Sequence, residues 1–198
     1  MKKTMIILSV LILLISGCSA SETNNESGLY ALTFNTAKFD ECAKNDLALH
    51  LLTYYGKEYL EIRELLKLGK GIHVFGKDIP TVLYPVWIDN KIVGVFNVIY
   101  YGGVYSGSYS GGNSEQLTYA IGKTNPKQPL KLLKTADGFY YVIGNDIYSM
   151  TGNPGEVLHN ISIIIELFQK TFLTNGKVVN VEETLEYTPI TSDIEFLE

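Results

Sequence analysis

Apolar positions recur at spacings of three and four from about Thr36 to Leu68, through Ala48, Leu51, Leu52, Tyr55, Tyr59, Ile62 and Leu66. That period puts them on one side of a helix, with Glu58, Glu61 and Glu64 on another face. Lys67, Gly69 and Lys70 supply a helix C-terminal signal. Gly56 interrupts the pattern, at a cost of about 1 kcal/mol relative to alanine. It predicts either a kink or a division into two helices.

The period then shortens to two. Ile72 to Phe75, Val82 to Ile88 and Ile92 to Tyr101 are rich in β-branched and aromatic residues, and Asp89-Asn90 marks a hairpin turn between the last two. Ile92 to Ile99 is apolar on both faces, which predicts a central strand. Pro80 and Pro85 point to strand starts or an edge. Gly102 to Gly112 is a Gly/Ser/Tyr tract, and Asn113 with Gln116 has the form of a capping box opening a short helix that ends near Gly122. Leu130 to Lys134, Phe139 to Ile143 and Ile147 to Met150 form a second set of strands, with turns at Asp137-Gly138 and Asn145-Asp146. The run Val157 to Leu173 fits either period, and the helix is the preferred reading. Asn175-Gly176 then either stops that helix or turns a hairpin into Lys177 to Tyr187.

Together these elements predict an α+β fold: an N-terminal long helix packed on a mainly antiparallel β-sheet meander. Such a sheet needs one face covered, and the first helix can cover it. In outline this is similar to cystatin-type and protease-prosegment folds, a likeness of architecture that carries no function.

The chain opens differently. Lys2 and Lys3 precede an apolar run from Met5 to Ile15, broken only by Ser9 and ending in Ile15-Ser16-Gly17-Cys18. A charged start, a short apolar core and small residues at the cut describe a secretory signal. Eleven residues of helix reach only about 16 Å. A bilayer core is about 30 Å thick and needs roughly 20 apolar residues, so the run is too short to span. Ile15-Ser16-Gly17-Cys18 resembles the lipobox of bacterial lipoproteins: aliphatic, small, small, cysteine. The resemblance covers the leader only. It implies a diacylglyceryl group on the Cys18 sulfur, removal of residues 1–17, and a membrane anchor facing outside the cytoplasm. Two or more acyl chains anchor stably where one does not. The next stretch, Ser19 to Gly28, is small and polar and reads as a tether. The expected organisation is thus a signal peptide at 1–17, a lipidated cysteine and tether at 18–28, and a single α+β domain at 29–198.

Removing residues 1–17 leaves 181 residues and takes away two lysines, so the net charge moves from −5 to −7. Acidic surfaces are repelled by phosphates and anionic headgroups. Nucleic-acid binding is therefore excluded as an expectation, and attachment to a membrane falls to the lipid. The chain has two cysteines. With Cys18 lipidated, Cys42 is left without an internal disulfide partner.

Candidate chemistry is sparse. A Cys-His hydrolase would combine Cys42 with His50, His73 or His159, but Cys42 has no nucleophile motif and sits at helical spacing from Phe39 and Ala43. No CxxC or HExxH occurs, and the acidic pairs lack the loop pattern of a calcium site. No catalytic residue, metal ligand or cofactor is expected. The most distinctive tract is Gly102 to Gly112, where Tyr-Ser-Gly repeats with a step of four. Tyrosine supplies rigid amphipathic contact area and serine supplies hydrogen bonds, as in adaptable binding loops. Tyr101, Tyr105 and Tyr109, with Trp87, are the candidate ligand-binding residues. The other reading of the tract is a twisted hairpin whose tyrosines pack on the sheet. The expected function is a membrane-anchored binding module for a protein or glycan at the cell envelope. A cell-envelope hydrolase and a protease-inhibitor or immunity-type lipoprotein are the alternatives.

Overall fold

A computed structural model describes residues 28–76, 79–135, 138–158 and 176–188. Its first strand, β1 (Tyr30–Thr33), precedes helix α1 (Ala37–Tyr55). The helix stops at Gly56, whose backbone is left-handed at φ 58°, a conformation that glycine adopts without a Cβ penalty. A single 3-10 turn (Gly56–Glu58) and one more helical turn, α2 (Tyr59–Ile62), follow. Of the two outcomes open at Gly56, the division is the one adopted.

The helix does not continue to Leu68. Leu66–Leu68 is a strand, β2, with Leu66 and Leu68 buried and Lys67 exposed. Over three residues a period of two and a period of 3.6 look alike, and pairing with a neighbouring strand decides. Lys67, Gly69 and Lys70 therefore do not end a helix. The Gly69 N–H donates to the Pro85 carbonyl at 2.9 Å and the Lys70 N–H to the Val181 carbonyl at 3.0 Å.

The remaining strands are β3 (Ile72–Phe75), β4 (Thr81–Ile88), β5 (Lys91–Tyr101), β6 (Val104–Ser110), β7 (Lys131–Thr135), β8 (Gly138–Ile143), β9 (Asp146–Ser149) and β10 (Lys177–Asn180). Helix α3 (Ser114–Ile121) links β6 to β7. The main sheet runs β6-β5-β4-β3-β7-β8-β9, with β2 beside β4 in line with β3. Among the described residues of this sheet, the β3–β7 strand pair is the parallel one and the other strand pairs are antiparallel. The sheet is thus two meanders joined at one parallel seam. Strands β1 and β10 form a separate antiparallel ribbon, stitched to the main sheet through Leu130. The α+β class and the mainly antiparallel sheet expected from the pattern are what the molecule adopts.

Strand β4 is apolar on both faces because both are covered. Val82, Tyr84 and Val86 meet Ala43, Leu47, Ala48 and Leu51 of α1. Leu83 and Trp87 point the other way, into the cluster that holds Leu117 and Ala120 of α3. Pro85 lies inside this interior strand rather than on an edge. Its carbonyl accepts from Gly69, and the N and C=O of one residue in a strand point to the same side. The missing Pro85 N–H therefore falls at the break between β2 and β3, where no strand needs it.

Three local expectations change. The turn between β8 and β9 is Gly144–Asn145, with Gly144 at φ 61°, because Ile143 pairs with Asp146. Asn113 sits at the N-cap of α3 but makes no capping hydrogen bond. The Gln116 amide instead donates to the Gly152 carbonyl at 2.9 Å, tying α3 to the loop after β9, so no capping box forms. Val157 bridges Tyr148 of β9 and Leu158 N–H donates to the Ile147 carbonyl, so the start of that apolar run is extended, not helical. Residues 159–173, His159, Asp137 and the whole leader with Cys18 lie outside the described residues.

Candidate functional site

The β5–β6 hairpin is closed by a two-residue turn, Gly102–Gly103, with φ values of 60° and 87°. Only positive-φ residues make that turn with the twist the strands need. Tyr101 pairs with Val104, and the register continues without a bulge to Val95 and Ser110. From this register the faces follow by alternation. Tyr100, Tyr105, Gly107 and Tyr109 point to the side of α1. Tyr101, Val104, Ser106 and Ser108 point to the opposite side, together with Ile99 and Asn97.

On the α1 side the tyrosines clamp the helix. Tyr105 meets Phe39 edge-on at 5.0 Å and lies 4.7 Å from Tyr100. Tyr109 meets Tyr54 edge-on at 4.9 Å, shares a 3.0 Å hydroxyl contact with Tyr55, and donates to the Val93 carbonyl at 3.3 Å. Burial and its hydroxyl neighbours hold the Tyr109 phenol well above the usual range. Gly107 leaves room for the Phe96 ring, whose Cζ would lie 2.3 Å from a Cβ at that position.

The open side is different. Tyr101 is 71% and Val104 64% exposed, and they stand directly opposite each other. Ser106 and Ser108 are exposed, and Ile99 and Asn97 are half-buried. Ile99 pairs with Ser106 and Asn97 with Ser108. The result is a rigid strip with an aromatic and aliphatic end and a hydroxyl-and-amide middle. Such a strip offers stacking area and hydrogen bonds on one plane.

The four aromatic residues singled out in the sequence do not converge. Tyr101 is on the open face and Tyr105 and Tyr109 are under the helix. Trp87 is 3% exposed, buried in β4 against Gly69 in the α3-side cluster. Val104, Ile99 and Asn97 had gone unnoticed. Taking Gly102–Gly103 as a two-residue turn would have found them, because it fixes Tyr101 opposite Val104 and puts Tyr105 and Tyr109 on the other face.

The remaining candidates for chemistry are quiet. The Cys42 thiol donates to Asp46 Oδ2 at 3.3 Å, one helical turn on. Burial, then the Asp46 carboxylate, push it up to about 12. A nucleophilic thiol needs the opposite shift. His50 lies eight residues along α1 from Cys42, about 12 Å of axial rise, and leans on Phe96 at 5.4 Å. His73 packs edge-on against Phe34 and Phe75 at 5.1 and 4.8 Å. Its burial lowers its pKa. Among the described residues no group of three or more His, Cys, Asp or Glu side chains is placed to hold a metal ion. No helix among them is long and apolar enough to cross a membrane. Compared with known proteins, the chain matches no family profile, no curated protein and no solved structure.

Proposed function

We propose that the protein is a lipid-anchored binding module of the cell envelope, whose open β5–β6 hairpin face takes a protein segment or a glycan. The anchor part of this reading rests on the leader, with its short apolar run and Ile15-Ser16-Gly17-Cys18. The binding part rests on one observation: Tyr101 and Val104 stand exposed side by side at the closed end of a strand pair whose other face packs against α1. A large aromatic left in water on a rigid element, beside free hydroxyls, suits recognition better than packing. Two χ angles are all that binding must freeze on tyrosine, which keeps the entropic cost low.

Both parts have a direct test. Labelled palmitate fed to cells making the protein is expected to mark the wild type and not Cys18→Ala, and the wild type is expected in the membrane fraction. Equal labelling of the two would remove the anchor. For the binding face, capture of envelope material by purified protein is expected to fall at least about tenfold in a Tyr101→Ala, Val104→Ala pair, which corresponds to about 1.4 kcal/mol. Unchanged capture by that pair would remove the face.

A further inference from the structure

The edges of the main sheet are treated unequally. At one end, β9 is bridged by Val157, and Leu158 donates to it. The outer side of β2 is met by Leu185, whose N–H donates to the Leu68 carbonyl. At the other end, β6 receives no backbone hydrogen bond on its outer side from any described residue. The strand itself also lacks the sequence features that keep sheet edges apart. Val104–Ser110 contains no charge, no proline and no bulge.

The sequence of this edge is a palindrome. Tyr105-Ser106-Gly107-Ser108-Tyr109 reads the same in both directions about Gly107. The backbone has the same centre. A two-residue turn makes Tyr101–Val104 a hydrogen-bonded pair, so the N–H and C=O groups of Val104, Ser106, Ser108 and Ser110 point to β5. Those of Tyr105, Gly107 and Tyr109 point outward, by the alternation of an antiparallel ladder.

From this coincidence we propose that β6 pairs antiparallel with β6 of a second copy of this chain, on a twofold axis through Gly107. Gly107 then exchanges both hydrogen bonds with its counterpart, and Tyr105 does so with Tyr109 of the second copy. About six backbone hydrogen bonds result, and every outward group of Tyr105, Gly107 and Tyr109 is used. Ser106 lies opposite Ser108 of the second copy on the open face, and serine pairs are compatible cross-strand neighbours. No like charges meet along the strand. The twofold axis sets the two α1 helices antiparallel on the covered face and joins the two open faces into one. A second copy fits better than a foreign strand because sequence and hydrogen-bonding phase share the same centre, which a heterologous partner does not require.

The full chain in mild detergent, its molar mass measured by light scattering over a dilution series, tests this. Wild type is expected to be a reversible dimer. Ser106→Lys with Ser108→Lys, at two exposed positions, places lysine against lysine across the axis and is expected to raise the dimer dissociation constant at least about tenfold. Ser106→Lys with Ser108→Glu places opposite charges across the same axis and is expected to restore the dimer. A matching far-UV circular dichroism spectrum for both variants shows that the fold persists. A wild type that stays monomeric at the highest concentration overturns the proposal, as does a dimer indifferent to the lysine pair. So does a lysine-glutamate variant as monomeric as the lysine pair. Loss of capture by the Tyr101→Ala, Val104→Ala pair with the dimer intact would leave this proposal standing, so the two readings fail separately.

Discussion

Two tyrosines eight residues apart on the same hairpin should respond very unequally to the same substitution. Tyr109 is half-buried under α1, and Tyr101 is exposed. Truncating a fully buried aromatic to alanine costs about 3–5 kcal/mol, so a half-buried one loses about 2 kcal/mol in transfer and cavity terms. The edge-on contact with Tyr54 adds about 0.5–1 kcal/mol. The shared hydroxyl contact with Tyr55 adds about 1 kcal/mol. Tyr109→Ala should therefore cost about 3–4 kcal/mol, a large part of the 5–15 kcal/mol typical of a domain. Tyr109→Phe keeps the ring and should cost about 1 kcal/mol. Tyr101→Ala should stay within about 0.5 kcal/mol. Urea unfolding reports this directly, because Trp87 is the only tryptophan and is buried. A Tyr101→Ala midpoint as low as that of Tyr109→Ala, or a Tyr109→Ala loss below about 0.5 kcal/mol, would refute the assignment of faces.

Other consequences follow from named contacts. Tyr84 is fully buried and donates to Asp40 Oδ1 at 2.6 Å; Tyr84→Phe should cost about 1.5–3 kcal/mol in urea unfolding, as hydrogen bonds to charged groups do. Gly107→Ala forces a methyl onto the Phe96 ring and should cost about 1–3 kcal/mol, recovered in part when Phe96→Leu is added. With the Cys42 thiol held up to about 12, only about one part in ten thousand is thiolate at pH 8; alkylation followed by mass spectrometry should be slow in the folded protein and fast in urea. His73 has a lowered pKa, so its neutral form favours the fold. That contribution is present above the unfolded value of about 6.5 and is lost as the pH falls toward and through the folded one. His73→Phe should flatten the fall in thermal stability on the acid side of pH 6.5.

Much of the fold was legible because its signals were local and redundant. Asp89-Asn90, both at positive φ, and the β-branched runs on either side of it pointed to the β4–β5 hairpin independently. The errors came where a long-range partner decided. Leu66–Leu68 has no intrinsic preference strong enough to separate strand from helix, and it is Val86 to Ile88 that make it a strand. Strand β1, Tyr30–Thr33, was not anticipated: the short apolar run Leu29 to Phe34 fits either period, and it is β10 and Leu130 that make it a strand. Gln116 was drawn to the Gly152 carbonyl, thirty-six residues away, rather than to its own helix start.

The site was half legible. Composition drew attention to the Tyr/Ser/Gly tract, and of its neighbouring tyrosines Tyr101 is the one left largely exposed. Composition does not assign faces, however. Tyr105 and Tyr109 look as available in sequence as Tyr101, yet one turn of two glycines commits them to the helix. Trp87 sits on a strand covered on both faces, so its size made it core rather than surface.

The proposed role concentrates on Tyr101 and Val104. A photo-crosslinking amino acid placed at 101 or 104, in intact cells making the full chain, interrogates that face where the protein works. The comparison position is Tyr54, 58% exposed but on the covered side with α1. Discrete adducts from positions 101 and 104, none from 54, and their loss in Cys18→Ala are the result expected of an anchored module with an open hairpin face. Adducts of equal yield from 54, or none from 101 and 104, would contradict it.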